Sequence, residues 1–463
     1  MSENIKESLE GSYKEPSVLN MLSYGASGFW SMFAWSVFGA YFFFFYEVAV
    51  GLDTILIAMA MIIFTIWDAI NDPLIGFLTD RKTKFTKKLG KRFPWIVIGI
   101  LPANFVFALL FMPPLDASPI ALFWWIVITT CLFDSLTTLC MVNVSGLFPD
   151  KFRTDKTRRK ASGWGTPLSM IALPASAIIP PLIITFEDPT SYIPMAWLCV
   201  GLLGIVSILF LPGMVENKEL KERYYVSEVT QESFMDALKT SLKQKSFVYY
   251  IILFFGFMVV TGCLTASIPY VVFIVLEGNE FFAILLFALY LSGTLISVPF
   301  WVLFAKKMKN NKKSAVVGGF TCAIAAFIAT FFVGILDLVF VFILGFAMGN
   351  LWVLIPVYFA DVLDERVVLT RSDVRGTTVG VQNFFTRLSR GAQIAIFAII
   401  HILTGFVEGS QTQTEIAKFG VLLHFTVIPA IVLAICTLIY WKNYPLTPEE
   451  SFKIRAKMKE LGF

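Results

Sequence analysis

The feature that most constrains this chain is a series of twelve apolar runs, each long enough to cross a lipid bilayer as a helix of ~20 residues. Hydrophobic residues make up 57% of the 463 residues and charged residues only 15%, against roughly 25% charged residues in a soluble domain. A soluble multi-domain enzyme could not bury so much apolar surface. The sequence therefore predicts an all-α membrane protein with twelve transmembrane helices, spans 1 to 12, at 20–46, 54–79, 93–112, 120–148, 163–185, 193–213, 247–276, 281–304, 314–333, 338–362, 378–404 and 419–441.

The distribution of Lys and Arg predicts the topology. The two tails, the central loop and the four other connections on the same side carry 34 of the 37 cations, whereas the opposite connections carry only Lys418. Because basic loops stay in the cytoplasm, we expect a multi-pass protein of the cell (plasma) membrane with both termini cytoplasmic. The segment 1–18 is polar and does not resemble a cleavable signal peptide.

The two halves of the chain repeat. The segment Pro73–Arg81 ends span 2, and a similar segment, Pro299–Lys307, ends span 8 at the equivalent place in the second half. This match predicts two pseudo-symmetric six-helix bundles, as in transporters built from repeats. The expected order is an N-terminal cytoplasmic tail (1–19), an N-terminal bundle (20–214), a cytoplasmic central loop (215–245), a C-terminal bundle (246–441) and a C-terminal cytoplasmic tail (442–463). Helical spacing of apolar residues at 232–239 predicts a short amphipathic helix on the membrane surface.

Span 2 carries a cluster of polar side chains where lipid-facing residues would be apolar. A charge at the bilayer centre costs at least ~2.5–3.5 kcal/mol, so intramembrane charges are functional candidates. Asn71 and Asp72 follow Asp68 by three and four residues, so all three project from one helix face. Their oxygens suit a hard cation such as Na⁺, and H⁺ is the alternative because two close carboxylates raise each other's proton affinity.

Span 4 supplies a candidate opposite wall for this cation site. Asp134, Thr138 and Met141 follow one another at i, i+4 and i+7, so a carboxylate and a hydroxyl share a face with an apolar side chain. We expect Asp134 and Thr138 to assist Asp68 and Asp72.

Two arginines in span 11 give this cluster a second interpretation. Arg387 and Arg390 could pair with Asp68 and Asp72 merely to fix packing, or Arg387 could neutralise the acids when the coupling ion is absent and so link the halves. In the remaining alternative either arginine reaches the cytoplasmic edge with its long side chain.

The other polar residues in the apolar runs give little indication of function. His401 and His424 have no acidic or Cys partner at useful spacing, so we expect them to pack. The six cysteines lie in apolar stretches without C-x-x-C spacing, which predicts neither disulfides nor a metal site of their own. The sequence contains no P-loop and no nucleophile–base constellation, and we therefore do not expect an enzyme.

Several motifs together resemble the glycoside–pentoside–hexuronide:cation symporters, the melibiose-permease-like branch of the major facilitator superfamily. The resemblance covers nearly the whole chain. The motifs that carry it are Ser23-Tyr24-Gly25, Tyr46-Glu47-Val48 with Gly51-Leu52, Trp67–Pro73, Gly90–Trp95 and Phe384–Leu388.

The resemblance implies specific roles. In that family the residues matching Asp68, Asn71, Asp72 and Thr138 bind Na⁺, Li⁺ or H⁺, and the family commonly has a Lys at the position of Arg387, where it links the cation and substrate sites.

The residues at the sugar-binding positions differ from the family pattern. Met32 and Met141 stand where the melibiose permease has sugar-binding Asp residues, and Ser145 stands where it has a Trp that packs on the sugar. These changes argue against melibiose itself as the substrate.

We therefore expect a symporter that couples Na⁺ or H⁺, with Li⁺ as a further candidate, to the transport of a sugar or glycoside-like solute, and that has no other cofactor. A carrier of lipid-like or other amphipathic cargo is the alternative that the two Met residues motivate, and a non-transporting receptor or scaffold is the alternative of another class. We expect a monomer in contact with membrane lipid and without nucleic acid. The substrate-binding candidates are Tyr24, Met32, Met141, Ser145 and Arg387, and the cytoplasmic gate candidates are Asp80 and Arg81, within latches at 76–92 and 300–313.

Overall fold

The computed structural model describes residues 15–79, 89–217, 220, 234–331, 335–371 and 375–460. Within these ranges the chain forms the twelve predicted helices, in the predicted order. Spans 1 to 6 are Val18–Phe44, Thr54–Thr79, Phe93–Leu109, Pro119–Lys151, Asp155–Ile178 and Tyr192–Met214. Spans 7 to 11 are Lys245–Tyr270, Glu280–Met308, Asn311–Ala329, Ile335–Thr370 and Arg375–Thr404, and span 12 is formed by Glu415–Leu422, Leu423–Val427 and Ile428–Asn443. Two shorter helices are Phe234–Lys243, at the predicted amphipathic segment, and Pro448–Glu460. The gate candidates Asp80 and Arg81 lie outside the described residues.

Ten of the helices in the described ranges are both long and apolar enough to cross a membrane. Span 3 misses this standard because its helix has only 17 residues. Span 11 is 30 residues long but interrupts its apolar surface with arginines and other polar side chains. The chain is an all-α membrane protein, and the two exceptions are a short helix and a polar one.

Several helices extend beyond the apolar runs that predict them. Span 5 begins at Asp155, not at residue 163, and span 10 continues to Thr370, beyond residue 362. The connection between spans 4 and 5 is therefore much shorter than the gap between the predicted runs 120–148 and 163–185. Hydropathy reports only the part of a helix that faces lipid, whereas a helix can continue into water when its end is capped. Here the hydroxyls of Thr154 and Thr157 form a capping box that starts span 5 among basic residues.

The internal repeat extends to fine details of the backbone. Span 1 ends in a π-helical turn, Phe45–Ala49, and span 7 ends in the same kind of turn at Val271–Val275, in the same register that relates Pro73 to Pro299. The chain then turns through Gly51 and through Glu277, which both have positive φ and are again equivalent in that register. The ends of spans 1 and 7 therefore adopt equivalent backbone conformations.

The two halves meet through spans 1 and 7, spans 2 and 11, and spans 5 and 8. We call the end of the helices nearest the chain termini the termini end, and the opposite end the far end. Toward the far end, residues 37–48 of span 1 are buried except Gly39, and residues 263–274 of span 7 are buried except Thr265. Toward the termini end both helices keep one partly accessible face. The far end is thus the more tightly closed.

Candidate functional site

The acids of span 2 face the arginines of span 11. The Nε of Arg387 lies 3.1 Å from Asp68 Oδ1, and its Nη2 lies 2.5 Å from Asp72 Oδ2. Arg387 Nη1 also donates to the backbone carbonyl of Asp68. Its side chain is only 15% exposed, so the guanidinium bridges the acids inside the protein and does not reach outward to the membrane edge.

Span 4 approaches span 2 on the other side of the cluster. Asn71 Nδ2 donates to Asp134 Oδ2 at 2.8 Å, and Trp67 Nε1 donates to Ser135 Oγ at 3.0 Å. Thr138 is buried one turn beyond Asp134, but within the described ranges it makes no hydrogen bond to the three acids. The structure therefore brings Asn71 and Asp134 together and leaves Thr138 nearby without a direct link.

The second arginine completes what we call the central cluster, formed by Asp68, Asp72, Asp134, Arg387 and Arg390. Arg390 Nη1 lies 3.7 Å from Asp68 Oδ2, and its guanidinium carbon lies 4.5 Å from the centroid of the Trp35 ring, in a cation–π geometry. Three carboxylates thus face two guanidinium groups. One formal negative charge remains when all five are ionised, and a buried unbalanced charge is costly.

Of the three carboxylates, Asp72 is the one with a buried oxygen that lacks a partner within the described part of the chain. Its Oδ1 is buried and has no hydrogen-bond partner among the described residues, although the side chain as a whole is 31% exposed. The arrangement can accept one monovalent cation or one proton, which would balance the charge and satisfy the free oxygen.

The candidate substrate residues are not gathered as tightly as the acids. The hydroxyl of Tyr24 donates to the carbonyl of Val144 at 2.6 Å, and its ring packs against Phe148 and Phe152. That hydroxyl is therefore engaged in this conformation.

The other candidates in spans 1 and 4 keep accessible surface. Met32 and Met141 are partly buried and Ser145 is exposed.

A second polar cluster at the far end was missed by the sequence analysis. His401 Nδ1 lies 2.8 Å from Glu47 Oε1, and both side chains are fully buried. The expectation that His401 only packs is wrong, because Glu47 of span 1 supplies an acidic partner from the other half. The available signal was the charge of Glu47 directly after the apolar run of span 1. The sequence analysis treats Glu47 only as part of a family motif.

The comparisons with known proteins agree with this architecture. A family model described as MFS/sugar transport protein matches residues 23–448. The chain belongs to this family of the major facilitator superfamily. It is a membrane transporter by family, and the family model does not resolve which branch it belongs to.

Individual relatives are distant but match over most of their length. The chain is 24% identical to "Sodium-dependent lysophosphatidylcholine symporter 1" of Gallus gallus, over 89% of this chain and 83% of the relative. It is 21% identical to "Uncharacterized symporter YjmB" of Bacillus subtilis, over 95% of both chains. A solved D-xylose–proton symporter superposes with a TM-score of 0.60 at 14% identity, covering 92% of this chain and 97% of that one, which shows a shared fold.

Proposed function

We propose that this transporter is a cation-coupled symporter, in which Na⁺ or H⁺ binds at the central cluster and drives the uptake of an organic solute. The observation that carries the proposal is the charge of that cluster, in which three carboxylates face two guanidinium groups. A purely structural ion-pair network would be expected to balance its charges, because unpaired buried charge destabilises a fold.

The coupling ion would compete with Arg387. In the conformation described here, the guanidinium lies between Asp68 and Asp72. A cation bound by these carboxylates, with oxygens of Asn71, Asp134 and Thr138 completing its shell, would release Arg387 from the N-terminal half and make it available to the solute. Binding of ion and solute would thus be linked, because the ion frees the group that otherwise blocks its site.

For the cargo, we propose a sugar or glycoside-like solute, in keeping with the family description and with the melibiose-permease-like motifs. Ser145 and Arg387 are the polar candidates to meet its hydroxyls.

A second cargo class is lipid-like or otherwise amphipathic. It is favoured by the apolar side chains of Met32 and Met141 and by the similarity to sodium-dependent lysophosphatidylcholine symporters along most of the chain. A thermal-shift screen of sugars, glycosides and lysolipids separates the two classes, since stabilisation by lysolipids alone would rule out the sugar.

The orientation and assembly are part of the same proposal. We propose that the termini end faces the cytoplasm of the cell, because the basic residues lie on that side, and that the monomer is the transporting unit. The far end then faces outward, and its tight closure corresponds to an inward-facing conformation.

The decisive experiment is uptake of the stabilising solute into proteoliposomes under an imposed Na⁺ or H⁺ gradient. Asp72→Asn removes one charge and balances the cluster, so we expect gradient-driven accumulation to be lost. Asp116→Asn is the matched control, because Asp116 is exposed in the loop between spans 3 and 4, and it should transport normally. Fully coupled uptake by Asp72→Asn would refute the cation site.

A further inference from the structure

At the far end, three side chains from both halves contact the buried carboxyl group of Glu47, and Glu408 joins them through Thr54; we call these five residues the far-end network. Glu47 lies in the π-helical turn that ends span 1. Its Oε2 lies 2.5 Å from the hydroxyl of Tyr270, and its Oε1 lies 2.8 Å from His401 Nδ1 and 2.5 Å from the hydroxyl of Thr54. The Thr54 hydroxyl also lies 2.7 Å from Oε1 of Glu408, in the loop after span 11.

The hydrogens available in this network do not suffice if both glutamates are ionised. A threonine hydroxyl has one hydrogen, and a carboxylate can only accept. The Thr54 oxygen nevertheless lies at hydrogen-bond distance from Glu47 and from Glu408. If Glu47 and Glu408 were both ionised, the Thr54 hydroxyl could donate to only one of them. The other short contact would then join two oxygens with no hydrogen between them. One added proton resolves the conflict.

The environment decides which carboxyl group carries that proton. Glu408 is partly exposed and also accepts the backbone N–H of Thr54 at 3.0 Å, so water and the amide stabilise its charge. Glu47 is fully buried, where a neutral carboxylic acid costs far less than an ion. The chain of donors then runs from Glu47 to Thr54 and from Thr54 to Glu408.

The histidines fit a neutral interpretation. His401 Nε2 and His424 Nε2 are buried without a hydrogen-bond partner among the described residues. In an imidazolium both ring nitrogens carry hydrogen, so a charged His401 or His424 would bury an unsatisfied donor. The two rings are also only 4.9 Å apart, and His424 Nδ1 is engaged by Ser267 Oγ at 2.7 Å. A neutral His401 cannot supply the missing proton to Glu47, which must come from solution.

We propose that Glu47 is a proton-binding site that operates the far gate: its carboxyl group carries a proton while the far end is closed and releases it when the far end opens. The proposal rests on the proposed function only in that a transporter must open this end. The proton site is separate from the central cluster, and it would bind a proton whichever ion drives uptake. Opening hydrates Glu47 and separates it from Tyr270 and His401 of the other half, and closing takes the proton back.

We do not expect the other ionisable groups around Glu47 to bind this proton in its place. Tyr270 from span 7 and the two histidines from spans 11 and 12 are the buried ones. At the rim, Glu280 accepts the backbone N–H of Phe186 at 2.9 Å.

Glu277 is a further acid at the rim of the far end. A hydrogen bond from Lys418 lowers the pKa of the Glu277 carboxyl below its ordinary value. Glu277 therefore stays ionised and does not take the proton.

The sign of the pH effect follows from this exchange. Closing takes up one proton as long as hydrated Glu47 is ionised in the open state. Raising the pH by one unit should therefore lower the ratio of closed to open protein by about tenfold. The clearest window lies at about pH 7.5 to 9, where hydrated imidazoles are neutral and do not add a second dependence.

The test measures the opening of the far end directly, without solute or ion gradient. Spin labels at Leu115→Cys in the N-terminal half and Phe281→Cys in the C-terminal half, both exposed at the far end, report the distance between the halves in lipid nanodiscs. In the wild-type background we expect the closed population to fall as the pH rises. In Glu47→Gln, the amide supplies the missing hydrogen permanently, and we expect a closed far end whose population no longer depends on pH.

The opposite result identifies an ion pair. If Glu47 were ionised and paired with a charged His401, Glu47→Gln would open the far end, and that outcome, or a wild-type population independent of pH, overturns the proposal. Glu415→Gln is the matched control, because its side chain is 90% exposed at the same end, and it should keep the wild-type pH dependence.

A second variant guards against misfolding of Glu47→Gln. Thr54→Val removes the hydroxyl that accepts the hydrogen bond from protonated Glu47, and we expect about a five- to tenfold lower ratio of closed to open protein. Thr54→Ser should restore it, and a wild-type ratio in Thr54→Val would contradict the proposal. Should no solute be transported at all, the proposed function fails while these distance measurements keep their meaning.

Discussion

The central cluster and the far-end network are built from the same kinds of groups, yet they differ in what can reach them. Both join acids of the N-terminal half to cationic or imidazole side chains of span 11. In the central cluster, Asp72 is 31% exposed and keeps a buried oxygen without a partner among the described residues. In the far-end network, Glu47 and His401 are fully buried, and every carboxyl oxygen of Glu47 has a partner.

This difference is the one expected between a site that exchanges ligands and a site that holds a contact. An accessible group with unsatisfied oxygen can bind an ion from solution without the protein opening further. A sealed carboxyl group can gain or lose a proton only when the surrounding helices move. Under the two proposals, the same acid–base chemistry would serve binding at the central cluster and closure at the far-end network.

The internal repeat sharpens the comparison. In the register that pairs Pro73 with Pro299, Asp68 and Asp72 correspond to Thr294 and Val298, and Glu47 corresponds to Phe273. The backbone turns that end spans 1 and 7 are equivalent, whereas Asp68, Asp72 and Glu47 have no acidic counterpart in the second half. The two halves thus share a helix arrangement but differ in where they place acidic side chains.

The largest effect is expected from a variant that disrupts the central cluster. Arg387→Gln leaves Asp68 and Asp72 without their bridging charge, and removing one partner of a buried ion pair costs about 3–5 kcal/mol. We expect a markedly lower melting temperature in the absence of Na⁺ and a large recovery when Na⁺ is added, because a cation can replace the guanidinium. Thermal unfolding in detergent with and without Na⁺ measures both effects.

The matched control for this variant is Arg390→Gln. Arg390 is 37% exposed and lies 3.7 Å from its acid, so we expect a much smaller loss and little rescue by Na⁺. Equal losses in the two variants would show that Arg387 does not occupy the ion's position.

A smaller effect tests the wall between spans 2 and 4. Asn71→Ala removes the donor to Asp134 Oδ2, and hydrogen bonds to charged groups contribute about 1.5–3 kcal/mol. We expect the cation concentration for half-maximal uptake to rise by at least about tenfold, with the maximal rate less affected. Unchanged cation dependence would place the ion away from Asn71, and Asn443→Ala, at the exposed end of span 12, serves as the control.

The smallest effect concerns the closure of the far end. Gly409 adopts φ +70°, donates its N–H to the Glu47 carbonyl at 3.0 Å and lies against Gly51, so a Cβ at residue 409 would come within 3.3 Å of the Gly51 Cα. A side chain in this conformation costs about 1–2 kcal/mol, and we expect Gly409→Ala to lower the closed population severalfold in the spin-label measurement.

Gly405→Ala is the control for backbone strain. Gly405 has a similar φ of +66°, but nothing lies within 4 Å of the position of a Cβ. It should cost similar stability without opening the far end, and equal opening in both variants would mean that strain alone, not the contact with Gly51, sets closure.

Much of the fold could be predicted because lipid makes a strict demand on sequence. Each span must be apolar over its lipid-facing length, so the twelve runs and their order followed directly. The helix ends did not, because beyond the lipid a helix is held by caps such as that of Thr154 and not by hydropathy. The repeat was visible only at Pro73 and Pro299, while the equivalent π-helical turns have no sequence signature in common.

The two clusters differed in how far sequence could predict them. Asp68 and Asp72 lie within one helical turn, so their common face followed from local geometry. Glu47 and His401 are 354 residues apart, and only the packing of spans 1, 7 and 11 brings them together. A site within one helix can be read from spacing, whereas a contact between halves requires the tertiary arrangement.

The polarity of span 11 also bears on how the chain enters the membrane during synthesis. Alone, this helix would carry two arginines into hydrocarbon, at ~2.5–3.5 kcal/mol each for a central position. Its acidic partner Asp68 precedes Arg387 by 319 residues, so span 2 is already in place when span 11 is made. Span 11 would therefore be retained in the bilayer by the earlier helices, which makes late insertion of this one segment the step at which assembly of the whole protein can be checked.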